Sequence, residues 1–247
     1  MAKKQNLTKG SIEKIYGVHP VIEVLTQKNR KITDLFLLAN ELKVWQQIQF
    51  LLPNYPYNIH RLSRAELSDR LETTDHQGIG VFALPFPFRK KFFDPAKDKF
   101  LVMLDGMQDV RNIGAIIRTA YCVGVDGIII VSHHGALLNG AALKASAGLA
   151  ERMSIYHATS SSSVLQDLKQ HGYAIYVAAL SKQANAYDVA YKKPLCLIIG
   201  SEGVGVSAQS LKSGTIITLP QKSPEISFNA SVAAGILMSI IQKELGV

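Results

Sequence analysis

From Phe100 onward, short apolar runs alternate with amphipathic stretches. The runs at 100–104, 127–131, 173–179, 195–199 and 215–219 are continuous, the pattern of strands buried on both faces. Stretches long enough for helices or loops separate them. This predicts an α/β domain whose mostly parallel sheet is covered on both sides. Upstream, Val18, Val21, Ile22 and Leu25 share one helical face, Leu35-Phe-Leu-Leu38 reads as a strand, and Val44 to Leu52 returns to a helical period. Ile59 marks a short strand, and Ser63 with Glu66 three residues later forms a capping box for a helix through Leu71. Gln77-Gly-Ile-Gly-Val-Phe-Ala83 closes this small α/β domain as a strand. The serine cluster Ser160–Ser163, before Val164-Leu-Gln-Asp-Leu168, reads as helix N-capping.

The same pattern sets the boundaries. Residues 1–14 are polar and Lys-rich and are expected to form a flexible basic tail; 15–84 form the small domain. Residues 85–98 carry three prolines and form a linker, and the large α/β domain occupies 99–247. The linker's aromatic rings are expected to pack on the domains they join, the alternative being stacking on RNA.

Composition narrows the class. In 247 residues, 47% are hydrophobic and 19% charged, as in ordinary globular proteins. Apolar stretches end well short of membrane-spanning length, and no apolar secretory core follows the basic start, so the expected compartment is the cytoplasm. A net charge of +8, denser in the N-terminal part, favours polyanionic partners such as nucleic acid. Cys122 and Cys196 lack neighbours at metal-ligand spacing and read as buried hydrophobes. His133-His134 is the only adjacent histidine pair, and no metal site is expected.

Three segments carry candidate chemistry. They are Leu104-Asp-Gly-Met-Gln-Asp-Val-Arg-Asn-Ile-Gly-Ala-Ile-Ile-Arg-Thr-Ala120, Ile199-Gly-Ser-Glu-Gly-Val-Gly205, and Leu219-Pro220 with Ser227-Phe-Asn-Ala-Ser-Val-Ala-Ala-Gly235. Each joins an apolar run to a turn rich in Gly, Asn or Ser, and together such turns form a cleft of exposed backbone amides. The second has neither the Lys-Ser/Thr ending of a P-loop nor the dinucleotide G-x-G-x-x-G spacing, and its serine lacks nucleophile-elbow flanks. Taken singly, Asn112 and Asn229 fit helix caps, Glu202 a solvated loop acid, and Arg118 a surface helix residue. Taken jointly, they point to a site.

The three motifs in this order resemble the SpoU (TrmH-like) family of the SPOUT superfamily, which methylates ribose 2′-hydroxyls of RNA. Lys144-Ala-Ser-Ala-Gly-Leu-Ala-Glu151 resembles a further family stretch. Tyr16-Gly-Val-His-Pro-Val-Ile-Glu-Val-Leu25 and Thr74-Asp-His-Gln-Gly-Ile79 are similar to the start and end of the substrate-binding domain of its RlmB-like subgroup. Those enzymes modify a guanosine in the peptidyl-transferase region of large-subunit rRNA. The resemblance implies a small L30e-like α/β domain followed by a SPOUT-type, mostly parallel sheet with a C-terminal deep trefoil knot. It also implies a homodimer and S-adenosylmethionine as cofactor.

By matching position, Gly200, Leu219 and Phe228 would bind that cofactor, and Asn112, Arg118, Glu202, Ser227 and Asn229 would surround the ribose. Family proposals make the motif-one arginine, here Arg118, a general base. A guanidinium is a poor base, so phosphate binding or alkoxide stabilisation stands beside that role. The pattern departs from the family at Val110, Ser223 and Phe228, which changes the expected pocket shape without removing a catalytic side chain. His19 and His76 read as structural. Two alternatives stay open: the same chemistry on tRNA, and an RNA-binding or ribosome-assembly factor that no longer methylates.

Overall fold

The computed structural model describes residues 12–40, 42–132, 138–181, 184–223 and 226–246. Most of the predicted tail, the His133-His134 pair and Pro224 lie outside the described residues. The chain divides into two compact units.

The first unit holds β1 (Glu13–Tyr16), α1 (Val18–Gln27), β2 (Ile32–Leu38), α2 (Leu42–Ile48), β3 (Asn58–Leu62), α3 (Arg64–Leu71) and β4 (Ile79–Ala83). Its sheet runs β1-β4-β2-β3, with β4 antiparallel to both neighbours and β2 parallel to β3. The predicted capping box is formed. Glu66 N–H donates to Ser63 Oγ at 3.3 Å, and Ser63 N–H donates to Glu66 Oε2 at 2.9 Å. His76 is fully buried, accepts the Gly78 N–H on Nδ1 at 3.0 Å, and bonds the Ser68 hydroxyl through Nε2, a structural role. His19 is exposed on α1.

The tail prediction is corrected at its end. Glu13 and Lys14 belong to β1, and Glu13 pairs with Arg30, whose side chain is 2% exposed. A short, charged edge strand carries no hydrophobic alternation to announce it.

The second unit holds β5 (Phe100–Asp105), α4 (Val110–Val123) and β6 (Gly127–Val131), after which Leu138–Glu151, with α5 (Gly140–Ala145), packs with the first unit. It then continues through β7 (Ile155–Ala158), α6 (Ser161–Gln170), β8 (Ala174–Ala178), β9 (Ala184–Asn185) and β10 (Leu195–Gly200). It ends with α7 (Ala208–Leu211), β11 (Thr215–Thr218) and α8 (Ala230–Glu244). The sheet is parallel throughout, in the order β7-β6-β5-β10-β8-β11-β9.

All five predicted strands are present. β5 and β6 are buried along their whole length, and β10 up to its last residue, so they read as unbroken apolar runs. The short edge strands β7 and β9 escaped prediction because they lack such a run. Four α4 residues show how an amphipathic helix sorts its side chains. Ile113, Ile116 and Ile117 are buried, whereas Cys122 is exposed, correcting its assignment as a buried hydrophobe. Cys122 lies one turn beyond exposed Arg118, on the solvent side. Cys196, in β10, is fully buried as expected.

The linker rings are packed. Phe86 is buried in the first unit beneath the Arg30 guanidinium, and Phe93, 1% exposed, joins the core of the second, covered by Arg89 at 4.5 Å.

Candidate active site

Gly200, Glu202, Leu219, Ser227, Phe228 and Asn229 gather at the carboxyl ends of β10, β8 and β11, where parallel α/β sheets present their loops to ligands. A cleft of about 730 Å³ opens there, within the range of small-molecule sites. Gly200, Leu219 and Phe228, the predicted cofactor residues, all line it, and Ser227 lies exposed on its wall.

Gly200 has no room for a side chain. A Cβ there would fall 2.2 Å from the Gly205 carbonyl carbon and 2.3 Å from Val206 N, because the loop after β10 folds back over it. Ser201 and Gly205 close the fold with reciprocal backbone hydrogen bonds of 3.1 and 2.9 Å. Gly203 (φ +84°) and Gly205 (φ +73°) supply the left-handed backbone that the reversal needs.

Glu202 sits at the turn. Its Oε1 accepts hydrogen bonds from Asn112 Nδ2 at 3.1 Å, from Ala230 N–H at 3.2 Å, and from Asn229 Nδ2. Asn229 Nδ2 also donates to Asn112 Oδ1 at 3.2 Å. The other end of the Asn229 amide caps α8, its Oδ1 accepting from Ser231 N–H at 2.9 Å and Val232 N–H at 3.3 Å. Asn229 therefore caps α8 and at the same time joins the Glu202 cluster. Asn112 is not a cap: Asp109 caps α4, and Asn112 lies inside that helix, 7% exposed. Glu202 also places negative charge at the positive end of α8. The result is a hydrogen-bonded cluster joining all three motifs.

Arg118 lies apart from this cluster. It is exposed on α4, six residues beyond Asn112, which is about 9 Å along the axis and on another face. It is not among the residues lining the cleft.

The cleft also recruits residues that sequence reasoning missed. Ala178, Ala179 and Leu180 follow β8, and Gln221 follows Leu219-Pro220. The rule that ligands sit at strand carboxyl ends could have found the first group once the strand order was known. Gln221 Nε2 is buried with no hydrogen-bond partner among the described residues. A bare backbone loop, an apolar wall and one unsatisfied donor suit a ligand that is part apolar and part hydrogen-bonding, and S-adenosylmethionine is such a ligand.

Comparison with known proteins agrees. Residues 99–239 match the model of the SpoU rRNA Methylase family, and residues 14–87 match that of RNA 2′-O ribose methyltransferase substrate binding. A Staphylococcus haemolyticus protein named for the TrmH family of tRNA/rRNA methyltransferases is 32% identical over 234 residues, 91% of this chain and 92% of its own. The crystal structure of an RNA 2′-O ribose methyltransferase superposes with a TM-score of 0.84 at 20% identity, covering 97% of this chain and 91% of that one. The SpoU methyltransferase AviRb from Streptomyces viridochromogenes, in complex with AdoMet, gives 0.79 at 16% identity, over 99% and 94%. Fold, motif cluster and family models converge: the chain belongs to the SpoU family of RNA 2′-O-ribose methyltransferases, whose methyl donor is S-adenosylmethionine.

Proposed function

We propose that this enzyme methylates the ribose of a guanosine in the peptidyl-transferase region of large-subunit rRNA, acting as a homodimer in the cytoplasm. The observation that carries the catalytic part is the Glu202 cluster, in which one carboxylate oxygen gathers Asn112, Asn229 and the first amide of α8 beside the cleft. Such a cluster holds its members rigidly. It suits groups that orient a ribose, because transfer depends on alignment of the attacking oxygen with the methyl carbon.

The bound cofactor supplies a methyl group already activated by its sulfonium. The loop from Gly200 to Val206 and Leu219 would hold it through backbone, and Gln221 would offer it an amide donor. Asn112, Glu202, Ser227 and Asn229 orient the ribose, with the second oxygen of Glu202 available to a hydroxyl. Arg118 holds a neighbouring phosphate and stabilises the developing alkoxide. A guanidinium stays charged at any working pH, which suits this role better than that of a base. Its place outside the cleft of its own chain fits a site completed by the partner of a dimer.

The first unit, matched by the substrate-binding model, holds the RNA. The knot implied by the family belongs to the same proposal, with the chain after β10 threading beside β8 and β11.

The test is a map of 2′-O-methyl groups on rRNA and tRNA from cells with and without the protein. Loss at one large-subunit guanosine is expected. Loss confined to tRNA would move the substrate there, and no loss anywhere would leave a binding factor.

A further inference from the structure

Asp105 ends β5 and is 4% exposed, yet it carries a carboxylate. Three hydroxyl or amide donors meet it. Oδ1 accepts the Ser161 hydroxyl at 2.6 Å, at the start of α6. Oδ2 accepts the Ser207 backbone N–H at 2.9 Å and the Ser210 hydroxyl at 2.6 Å, where α7 begins. Burial alone would raise its pKa, but these hydrogen bonds outweigh burial and hold it below the usual carboxylate value, so it is ionised at neutral pH.

Its position relative to the cofactor loop is specific. The loop leaves β10 at Gly200, which pairs in register with Asp105 on the neighbouring strand. It returns at Ser207, whose N–H lands on the carboxylate of the same residue. Both ends of the segment carrying Glu202 are therefore fastened to one side chain and its strand. Ser207 in turn caps α7 by accepting the Ser210 N–H at 3.2 Å, so the far end of the loop cannot shift without disturbing that helix. Asp105 itself does not line the cleft.

We propose that Asp105 is a positioning residue for methyl transfer: its carboxylate clamps the Ser207 end of the Ser201–Val206 loop to the strand that already pairs with the Gly200 end, and so fixes the curvature that delivers Glu202 to Asn112 and Asn229. The requirement is for one oxygen that accepts two donors from the loop side. Ala supplies none. Asn supplies one, and its amide nitrogen can donate to the Ser161 hydroxyl, which is also an acceptor. The inference rests on the cleft being the cofactor pocket.

The experiment uses the full chain and measures melting temperature, cofactor Kd by calorimetry, and kcat on an rRNA fragment well below the melting point. For Asp105→Ala, cofactor affinity and kcat are each expected to fall by about tenfold or more, because a slack loop misplaces the reacting groups. Asp105→Asn is expected to restore most of both. Ser161→Ala, which loosens α6 and leaves the loop side intact, is expected to lower the melting temperature alone.

Wild-type Kd and kcat in folded Asp105→Ala would overturn the proposal, as would an equal kinetic loss in Ser161→Ala. Should Asp105→Ala fail to fold, Ser210→Ala removes one of the two loop-side hydrogen bonds, and unchanged kinetic constants there would overturn it as well. Phe228→Ala separates the two ideas. Its exposed ring lines the cleft, so unaltered cofactor affinity would sink the pocket assignment and this inference together. Weakened binding in Phe228→Ala beside an intact Asp105→Ala would sink the inference alone.

Discussion

Arg118 and Gln221, both given roles in the proposed function, sit very differently in the structure. Arg118 is exposed on α4, away from the cleft, so its replacement leaves the cleft untouched. Arg118→Ala is expected to lose methyl transfer by at least about a hundredfold while cofactor affinity by calorimetry stays near wild type. Lys at this position should rescue poorly, since an ammonium cannot reproduce the planar guanidinium fork. Near-normal transfer from labelled cofactor by the Ala variant would return Arg118 to an ordinary surface residue. Gln221 is the opposite case, a residue of the cleft wall whose Nε2 is buried without a hydrogen-bond partner among the described residues. Gln221→Leu keeps the volume and removes the donor, and cofactor binding should weaken by about five- to tenfold with kcat at saturation unchanged. Tighter binding by the Leu variant would mean that the amide was only an orphan.

At the scale of elements, the first unit is fastened by charge as well as by its sheet. Arg30 bridges Glu13 of β1 and Glu151 at the end of the returning segment, and the Asn29 side chain donates to the Glu151 carbonyl at 2.8 Å. Removing the cation leaves two carboxylates facing each other out of water. Arg30→Met is expected to cost about 3–5 kcal/mol in denaturant unfolding of the first unit. Burial pushes the Glu151 carboxyl above its ordinary value, with Glu13 and Glu23 adding to the rise and Arg30 opposing it. A raised folded pKa means that its contribution is complete below the unfolded value and is lost as pH rises through the folded one. Glu151→Gln should abolish that decline, so its melting temperature should vary less than wild type between acidic and neutral pH. An unchanged pH profile would remove Glu151 from the account.

For the whole molecule, α8 is the element that bears on the proposed partner. On α8, Ala234, Leu237, Met238 and Ile241 are buried, whereas Val232 is 50% exposed, Ser239 is exposed, and Ile236 and Ile240 are half-buried. Within one chain that face stays only partly covered. The proposed dimer would bury it. The purified protein is expected to run as a dimer in light scattering, and Val232→Glu should yield a folded monomer with sharply reduced transfer. A Val232→Glu dimer with full activity would place the interface elsewhere.

Local pattern reaches a definite distance into this fold. Strands β5, β6 and β10 were legible because complete burial leaves an unbroken apolar run, and α3 because Ser63 and Glu66 form a reciprocal cap within four residues. The resemblance of the motifs to the family also named Asn112, Glu202 and Asn229, which local pattern alone reads as caps and a loop acid. Periodicity records whether a residue is covered, not by what. Pairing across the sheet decided that β10 lies between β5 and β8, and hence that Asp105 stands beside Gly200. It also decided that Glu202, Asn112 and Asn229, as much as 117 residues apart, share hydrogen bonds, and that Arg118 does not join them. A buried carboxylate such as Asp105 is tolerated only because Ser161, Ser207 and Ser210 converge on it, and that convergence exists only once the chain has folded.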